Sequence, residues 1–493
     1  MAEKQLNYTV EEVNAILSKV ENGEVLTSAE KLKLQTLNLS NYATLDYVNN
    51  TIETVKNSIN NNTNTGGGGN ITIQGSNNWI SVKNFGAKGD GSTDDTSAIQ
   101  SAFNAAKSGD VVIFFPFGTY KIKNGITLTD AYNITIEGNS STLQLYNDSS
   151  TKGYTVFEIT SLNNNFFKVN DLIIDGSNTP QDLFSATNFS SSPRITAYEI
   201  DSDYISLNNC TVKNIYGNGI KIQNYKNVVI KDTYFDSVGG HWYKNDTYDC
   251  FGDAIYLGDR VNARVTIENV VAVGKKSGNT LSRIGITVED FSNADEEIFI
   301  TVKNSRFINF DRVVHSELNN GTVQLQFDQC ELHGNVILFS WSDTTRPCAN
   351  LYNCNISFFN QEYNGSKGLS YGFDKCFFTD CKIDCSGRTR AFGMNGPNLV
   401  FNNCDITNIA YTLQEYGSVK CMNSRLTLST SLTEYLFYGS TSRKFEFENC
   451  TISSSGSVSL NSGGTKPYFY NCKFSGVSAS SLGSTYTLNC WDI

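Results

Sequence analysis

The sequence predicts an all-β solenoid, a single-stranded parallel β-helix, preceded by a small α-helical and coiled-coil region. Three observations carry that expectation. The chain has 493 residues, with 18% charged, 39% hydrophobic, 39 Gly and only 6 Pro. Such a composition suits short strands between tight turns, and such a length requires either several domains or one repeated architecture. A short phrase, a polar residue followed by Cys, recurs from residue 209 onward. Near the amino terminus, an apolar seam runs with 3-4-3-4 spacing.

Residues 1–42 read as helical. Thr9-Val10-Glu11-Glu12 is a capping box, and the helix it opens carries Val13, Ile16, Leu17 and Val20 on one face. Thr27-Ser28-Ala29-Glu30 repeats the signal before Leu34 and Leu37. Over residues 43–65, Leu45, Val48, Ile52, Val55 and Ile59 form a seam of about two heptads. Branched residues at both core positions favour more than two strands, so a trimer is expected; the alternative is a short amphipathic helix packed on its own domain. Residues 66–78 begin with four glycines and read as a linker.

The repeat occupies 79–493. It is written Asn209-Cys210, Gln329-Cys330, Asn353-Cys354, Asp380-Cys381, Asn403-Cys404, Asn449-Cys450 and Asn471-Cys472. Asp232-Thr233, Asn269-Val270, Asn304-Ser305 and Asn423-Ser424 are copies with the Cys replaced. Eight of the ten successive intervals fall between 20 and 27 residues. A unit of that size cannot bury its apolar side alone, whereas stacked coils can. The Cys side chains are expected to pack inward and the Asn to form turn ladders.

The formal net charge of −11 argues against nucleic-acid binding, which needs clustered Lys and Arg. No apolar run approaches the roughly 20 residues of a membrane span, so no membrane insertion is expected. MAEKQLNYTVEE has neither a basic nor an apolar leader region, so no signal peptide is indicated. The 13 Cys do not suggest a disulfide framework, and His241, His315 and His333 lack metal-ligand spacing. No metal and no cofactor are indicated.

Residues 79–122 open the solenoid. Thr93 reads as an N-cap, Asp94 and Asp95 as the first turn of a helix, and Ile99, Ala102, Phe103 and Ala106 as its buried stripe. This helix covers the exposed end of the coil stack. Phe85-Gly86-Ala87-Lys88-Gly89-Asp90-Gly91, Thr93-Asp94-Asp95-Thr96, Ala98-Ile99-Gln100 and Pro116-Phe117-Gly118-Thr119-Tyr120 closely resemble the opening of the pectate-lyase-like superfamily, seen in polygalacturonase-like enzymes and bacteriophage tailspikes. The resemblance implies a right-handed β-helix. Asp90, Asp94 and Asp95 are expected to cap and shape the opening coil rather than catalyse. Leu26-Thr27-Ser28-Ala29-Glu30-Lys31-Leu32-Lys33-Leu34 and Asn41-Tyr42-Ala43-Thr44-Leu45-Asp46-Tyr47-Val48 resemble helical segments of phage tail and head fibres.

Function is expected where coils carry extra loops, within the long intervals 233–270 and 270–305. Asp249, Asp253 and Glu289 are the candidate catalytic carboxylates, since glycoside cleavage needs two flanking one bond. His241 and Arg283 are candidates to hold substrate charge, and Trp242 or Tyr243 to stack on a sugar ring. A lyase would instead use a base beside a carboxylate, often with Ca²⁺ on Asp oxygens. The bland alternative is solvated acidic loops. Phe251-Gly252-Asp253-Ala254-Ile255 resembles the polygalacturonase-like Gly-Asp-Asp-x-Ile pattern, but Ala254 replaces the second Asp, and Gly240-His241-Trp242 precedes it where the family's Gly-His-Gly follows. The sequence therefore points to a homotrimeric phage fibre or spike in the virion. Residues 1–42 would attach it to head or tail proteins, and the β-helix would bind host surface polysaccharide. Binding without cleavage is preferred over a polysaccharide lyase or glycoside hydrolase, and a purely structural head fibre is the third reading.

Overall fold

The computed structural model describes residues 79–107, 110–146, 153–161, 165–179, 194–242, 249–250, 252–258, 260–277, 280–290, 297–341, 347–359, 368–386, 398–410, 417–429, 437–438, 444–460, 462–463, 467–478 and 486–492. The helical region, trimeric seam and linker expected over 1–78, with Leu45, Val48, Ile52, Val55 and Ile59, lie outside the described residues.

Residues 80–493 form one unit, a parallel β-helix whose coils contribute to three faces. On the first face Val111 pairs with Ile134, Ile134 with Phe167, Ile205 with Val228, and the ladder continues to Tyr468 with Tyr486. On the second, Tyr120 pairs with Leu143, Val212 with Phe235, and the ladder reaches Phe474 with Asp492. The third runs Phe157, Tyr198, Ile220, Ile255, Ile286, Val314, Leu338 and Ser370. Each step along a ladder is about 4.8 Å.

The alternation of apolar and polar residues decides which side chains enter the stack. In Thr322–Asp328 every second residue, Val323, Leu325 and Phe327, is buried while Thr322, Gln324 and Gln326 are exposed. Like residues then meet from coil to coil. Phe157 and Tyr198 stack at 5.7 Å and Phe378 with Phe401 at 4.9 Å, and Phe103 of the helix Thr96–Ala106 caps the first of these stacks, 5.4 Å from Phe157. Each fully buried aromatic ring of this kind contributes roughly 1.5–3 kcal/mol.

The turn between the first and second faces explains the repeated phrase. The residue before every Cys position, from Asn209 to Asn471, has φ between 47° and 55°, the left-handed region that Asn and Asp tolerate best. Its amide reaches the coil before it: Asn209 Nδ2 donates to Asp171 at 2.7 Å, Asn269 to Asp232 at 2.8 Å and Asn471 to Asn449 at 2.6 Å. The Cys that follows is buried and donates its S–H to backbone carbonyls, as Cys404 does to Phe378 and Asn402. Where Cys is replaced by Thr or Ser, the hydroxyl makes the same bond two residues back: Thr233 to Lys231 at 2.8 Å, Ser305 to Lys303 at 2.6 Å and Ser424 to Met422 at 2.7 Å. The position therefore takes a small side chain, in most coils one with a single donor, and Val270 fills it without one. Asn489, with φ of 54° and followed by Cys490, is a further copy.

The opening helix spans Thr96–Ala106 and buries Ile99, Ala102, Phe103 and Ala106 as expected. Its N-cap is Asp95 rather than Thr93, which lies in the strand Asp90–Asp94. Asp94 accepts from the N–H and hydroxyl of Thr96, at 3.1 and 2.6 Å, and Asp90 accepts from the N–H groups of Ser92 and Thr93. Asp95 is buried and accepts from the N–H groups of Lys88 and Gly89. Three carboxylates thus tie down the opening segment.

Candidate functional site

The long intervals do carry extra structure, and it differs in kind from the rest. His241–Trp242 pairs antiparallel with Asp249–Cys250, and Lys276–Ser277 pairs antiparallel with Thr280–Leu281. The turn Gly239-Gly240 anchors the first hairpin: Gly240 N–H donates to Gly252 O, and Arg283 N–H donates to Gly240 O at 2.8 Å. Gly252 has φ of +152°, and a Cβ there would lie 2.6 Å from the Cα of Gly217 in the preceding coil. Only glycine allows that approach, and it seats the strand Asp253–Leu257 against its neighbour.

This packing brings Asp253 and Arg283 together. Arg283 Nη1 donates to Asp253 Oδ1 at 2.7 Å and Oδ2 at 2.8 Å, and Thr287 Oγ1 donates to Oδ2 at 2.6 Å. The two charged side chains are 1% and 4% exposed. Buried charge in this position requires its partner, because neither ion can be solvated. The carboxylate accepts three hydrogen bonds from two donor groups and is covered, which suits it to fixing Arg283 in place rather than attacking a substrate.

Glu289 is the more accessible carboxyl, its side chain 12% exposed. It lies on the strand Thr280–Asp290, two residues past Thr287, and accepts from the hydroxyl of Tyr256 at 2.8 Å. Burial, reinforced by the negative charge of Asp253, pushes its pKa up to about 7. At neutral pH the group is poised between acid and carboxylate, the state a general acid–base catalyst requires. Glu317 pairs with it in the next coil, and its carboxyl is likewise raised by burial.

His315 sits between them and could be taken for a metal ligand. One ligand atom each of Glu289, His315 and Glu317 lies within 4.8 Å of the others. Arg312 Nη1, however, lies 2.8 Å from His315 Nδ1. A guanidinium can only donate, so Nδ1 accepts and the neutral ring carries its proton on Nε2. That N–H faces Glu317 Oε2 at 3.3 Å. Metal ligation through Nε2 would set Nδ1–H against the Arg312 donor. Ca²⁺ would find only two carboxylates here, fewer than the oxygen shell it takes. The cluster is a hydrogen-bonded network.

A cleft of about 570 Å³ lies on the third face, reaching from Gly153, Tyr154 and Thr155 through Arg194, Glu199 and Lys221 to Asp253, Tyr256, Arg283 and Glu289. Lys221 bonds Glu199 at 2.6 Å within it. Of the residues singled out from sequence, Asp253, Glu289 and Arg283 meet here. His241 is fully buried against the hydroxyl of Tyr216 at 3.0 Å, and burial lowers its pKa to about 4; its ring does not reach the cleft surface. Trp242 and Asp249 face each other in the hairpin backbone, and Tyr243 lies outside the described residues. Sequence reasoning missed Tyr256, Thr287, His315 and Glu317. The signal was the coil register, which places Glu317 directly beside Glu289, 28 residues on.

Fold and cleft together define a right-handed parallel β-helix with a polar groove along one face. Residues 79–321 match the family model described as rhamnogalacturonase A/epimerase, pectate lyase-like, and this part of the chain is pectate-lyase-like. A tailspike protein mutant of E. coli bacteriophage HK620, solved in complex with a pentasaccharide, shares this fold with a TM-score of 0.52 at 12% identity, over 84% of this chain and 80% of that one. The preneck appendage protein of Bacillus phage PZA is 31% identical over 102 residues, 20% of this chain and 11% of the phage protein. Alginate lyase 7 of Azotobacter vinelandii is 52% identical over 50 residues, 10% of this chain and 6% of that protein. The chain thus spans only a small part of the curated relatives it matches.

Proposed function

We propose that the chain is a fibre or spike subunit of a phage virion whose β-helix holds a host-surface glycan in the third-face groove. The observation that carries the glycan reading is the groove itself: an open, polar cleft with fixed charges, built on consecutive rungs of a rigid sheet. The virion reading draws support from the appendage and tailspike similarities, and from the helical phrases and trimeric seam in the sequence. In this reading residues 1–42 attach to head or tail proteins and 43–65 hold three copies together.

One observation favours a second reading, cleavage of the bound glycan. Glu289, with a pKa of about 7, would give its proton to a glycosidic oxygen as the C–O bond breaks, while water adds its hydroxyl to the released anomeric carbon and its remaining proton restores the Glu289 acid. The test is incubation of the full-length protein with surface polysaccharides from a panel of hosts, measuring both retention and release of reducing ends. Retention without release supports the binding subunit, and release that Glu289→Gln abolishes supports the depolymerase. Neither retention nor release with any host leaves only a structural fibre.

A further inference from the structure

The cleft lining ends at Glu289, but the row of the ladder that carries it continues along the same face. Ser316 pairs with Ser340, and Trp341 N–H donates to Ser316 O at 2.9 Å. Trp341 therefore continues the row that carries Glu289 and Glu317, one rung beyond Glu317. Its side chain is 61% exposed, against an ordinary expectation that a large indole is mostly covered. Beside it, His315, Phe339 and Tyr371 stack on consecutive rungs, with centroids 5.2 and 5.0 Å apart and planes within 18° and 6°. Arg312 packs 3.7 Å over the Phe339 ring and holds it. From the rung of Thr155 to that of Trp341 there are six steps, so the face runs for about 29 Å along the axis.

The charges along this path are balanced. The cleft lining carries three cations, Arg194, Lys221 and Arg283, and three carboxylates, Glu199, Asp253 and Glu289. Lys221 and Arg283 are each bound to a carboxylate within the cleft. Glu317 adds a further carboxylate on the way to Trp341, and His315 is held neutral by Arg312. A polyanion laid here would meet no surplus of positive charge and would pass two acidic side chains.

We propose that Trp341, with the stacked His315–Phe339–Tyr371 rings behind it, is an aromatic subsite that binds the apolar face of a sugar, and that the groove accepts an uncharged glycan rather than a polyuronate. This rests on the glycan reading above and narrows it. The subsite lies about 10 Å, two rungs, from Glu289, so it holds a sugar unit other than the one beside that carboxyl.

The test uses the full-length protein and a panel of purified bacterial surface polysaccharides, some uncharged and some carrying uronate, sialate or phosphate. Binding is followed by biolayer interferometry at 50 and 500 mM NaCl, and oligomeric state by light scattering. Expected is binding confined to uncharged members, changing less than about twofold with salt. Trp341→Ala should weaken it about three- to tenfold at unchanged oligomeric state. Phe377→Ala, at a ring 40% exposed on the first face, should leave it unchanged. Binding confined to acidic members and abolished by salt would overturn the inference while leaving the glycan function standing. Loss of the oligomer in Trp341→Ala would overturn it by making the ring a subunit contact. No binding to any member would overturn the glycan function as well.

Discussion

Replacing Asp253 by Asn tests the centre of the site, because it removes one charge and almost no volume. The carboxylate is 1% exposed and takes two bonds from Arg283, at 2.7 and 2.8 Å, and one from Thr287 at 2.6 Å. An amide has a single acceptor oxygen, so its NH₂ group turns a second set of hydrogens towards donors. Arg283, 4% exposed, then loses the charge of its Asp253 partner while staying buried. Breaking such a pair from one side costs about 3–5 kcal/mol, whereas replacing both members by apolar residues is often close to neutral. Asp253→Asn should therefore lower local stability by about 3–5 kcal/mol, and Asp253→Leu with Arg283→Met should recover most of it. A solenoid opens coil by coil, so the appropriate assay is native-state hydrogen exchange of peptides covering 253–257, with 445–448 as a distant reference. Protection should fall in the first and stay unchanged in the second. A loss under about 1 kcal/mol, or a double variant no better than the single one, would show that the pair is not the buried, mutually dependent unit described above.

Three further outcomes are expected. Glu289 has a folded pKa of about 7 against an ordinary 4.5, so the folded state holds the proton more tightly, and its contribution to stability is lost as pH rises from 4.5 through 7. Glu289→Gln should match the parent at pH 4 and be more stable at pH 8, by up to about 3 kcal/mol; urea melts at the two pH values check it. Cys404→Ser should cost less than about 1 kcal/mol because Ser305 and Ser424 already occupy equivalent positions with the same bond, whereas Cys404→Leu overpacks the stack and should cost about 1–3 kcal/mol, read as changes in the denaturation midpoint. Gly252→Ala places a Cβ 2.6 Å from backbone at a φ of +152°; it should lower thermal stability and weaken retention of any glycan bound at the cleft, measured on the same preparation.

Much of the fold was legible because its rule is local and repeated. Each coil must turn at the same place, so Asn or Asp, and once Gln329, recurs where φ is near 50°, and a small side chain follows it. Those spacings mark one corner of every coil. They say nothing about how many residues the other two corners take, and that is where the site lies. Asp253 and Glu289 stand out as acidic residues in long intervals, and Arg283 as a cation nearby. Thr287 and Tyr256 do not, because a Thr and a Tyr in strands are ordinary, and only the third-face register aims them at the carboxylates. His241 went the other way. Its place beside Gly239-Gly240 resembles a binding loop, yet the turn that frees the backbone tucks the ring beneath the surface, against Tyr216. The helix N-cap was misplaced by two residues for a similar reason, since Thr93 and Asp95 are both good caps and only the strand over Asp90–Asp94 decides between them.

The regular rung has a further consequence for how such a molecule can change length. Every group at the cleft sits on the third face between the rungs of Thr155 and Trp341, whereas the first and second faces continue to Tyr486–Leu488 and Trp491–Asp492. A whole coil of 20-odd residues added or deleted near 404 would move the far tip by about 4.8 Å and leave the cleft untouched. The same insertion between 257 and 280 would part Asp253 from Thr287 and Arg283 and abolish the site at a stroke. Length and cleft geometry are therefore separately adjustable in this chain: one is set by how many coils follow the cleft, the other by a few coils that must remain adjacent.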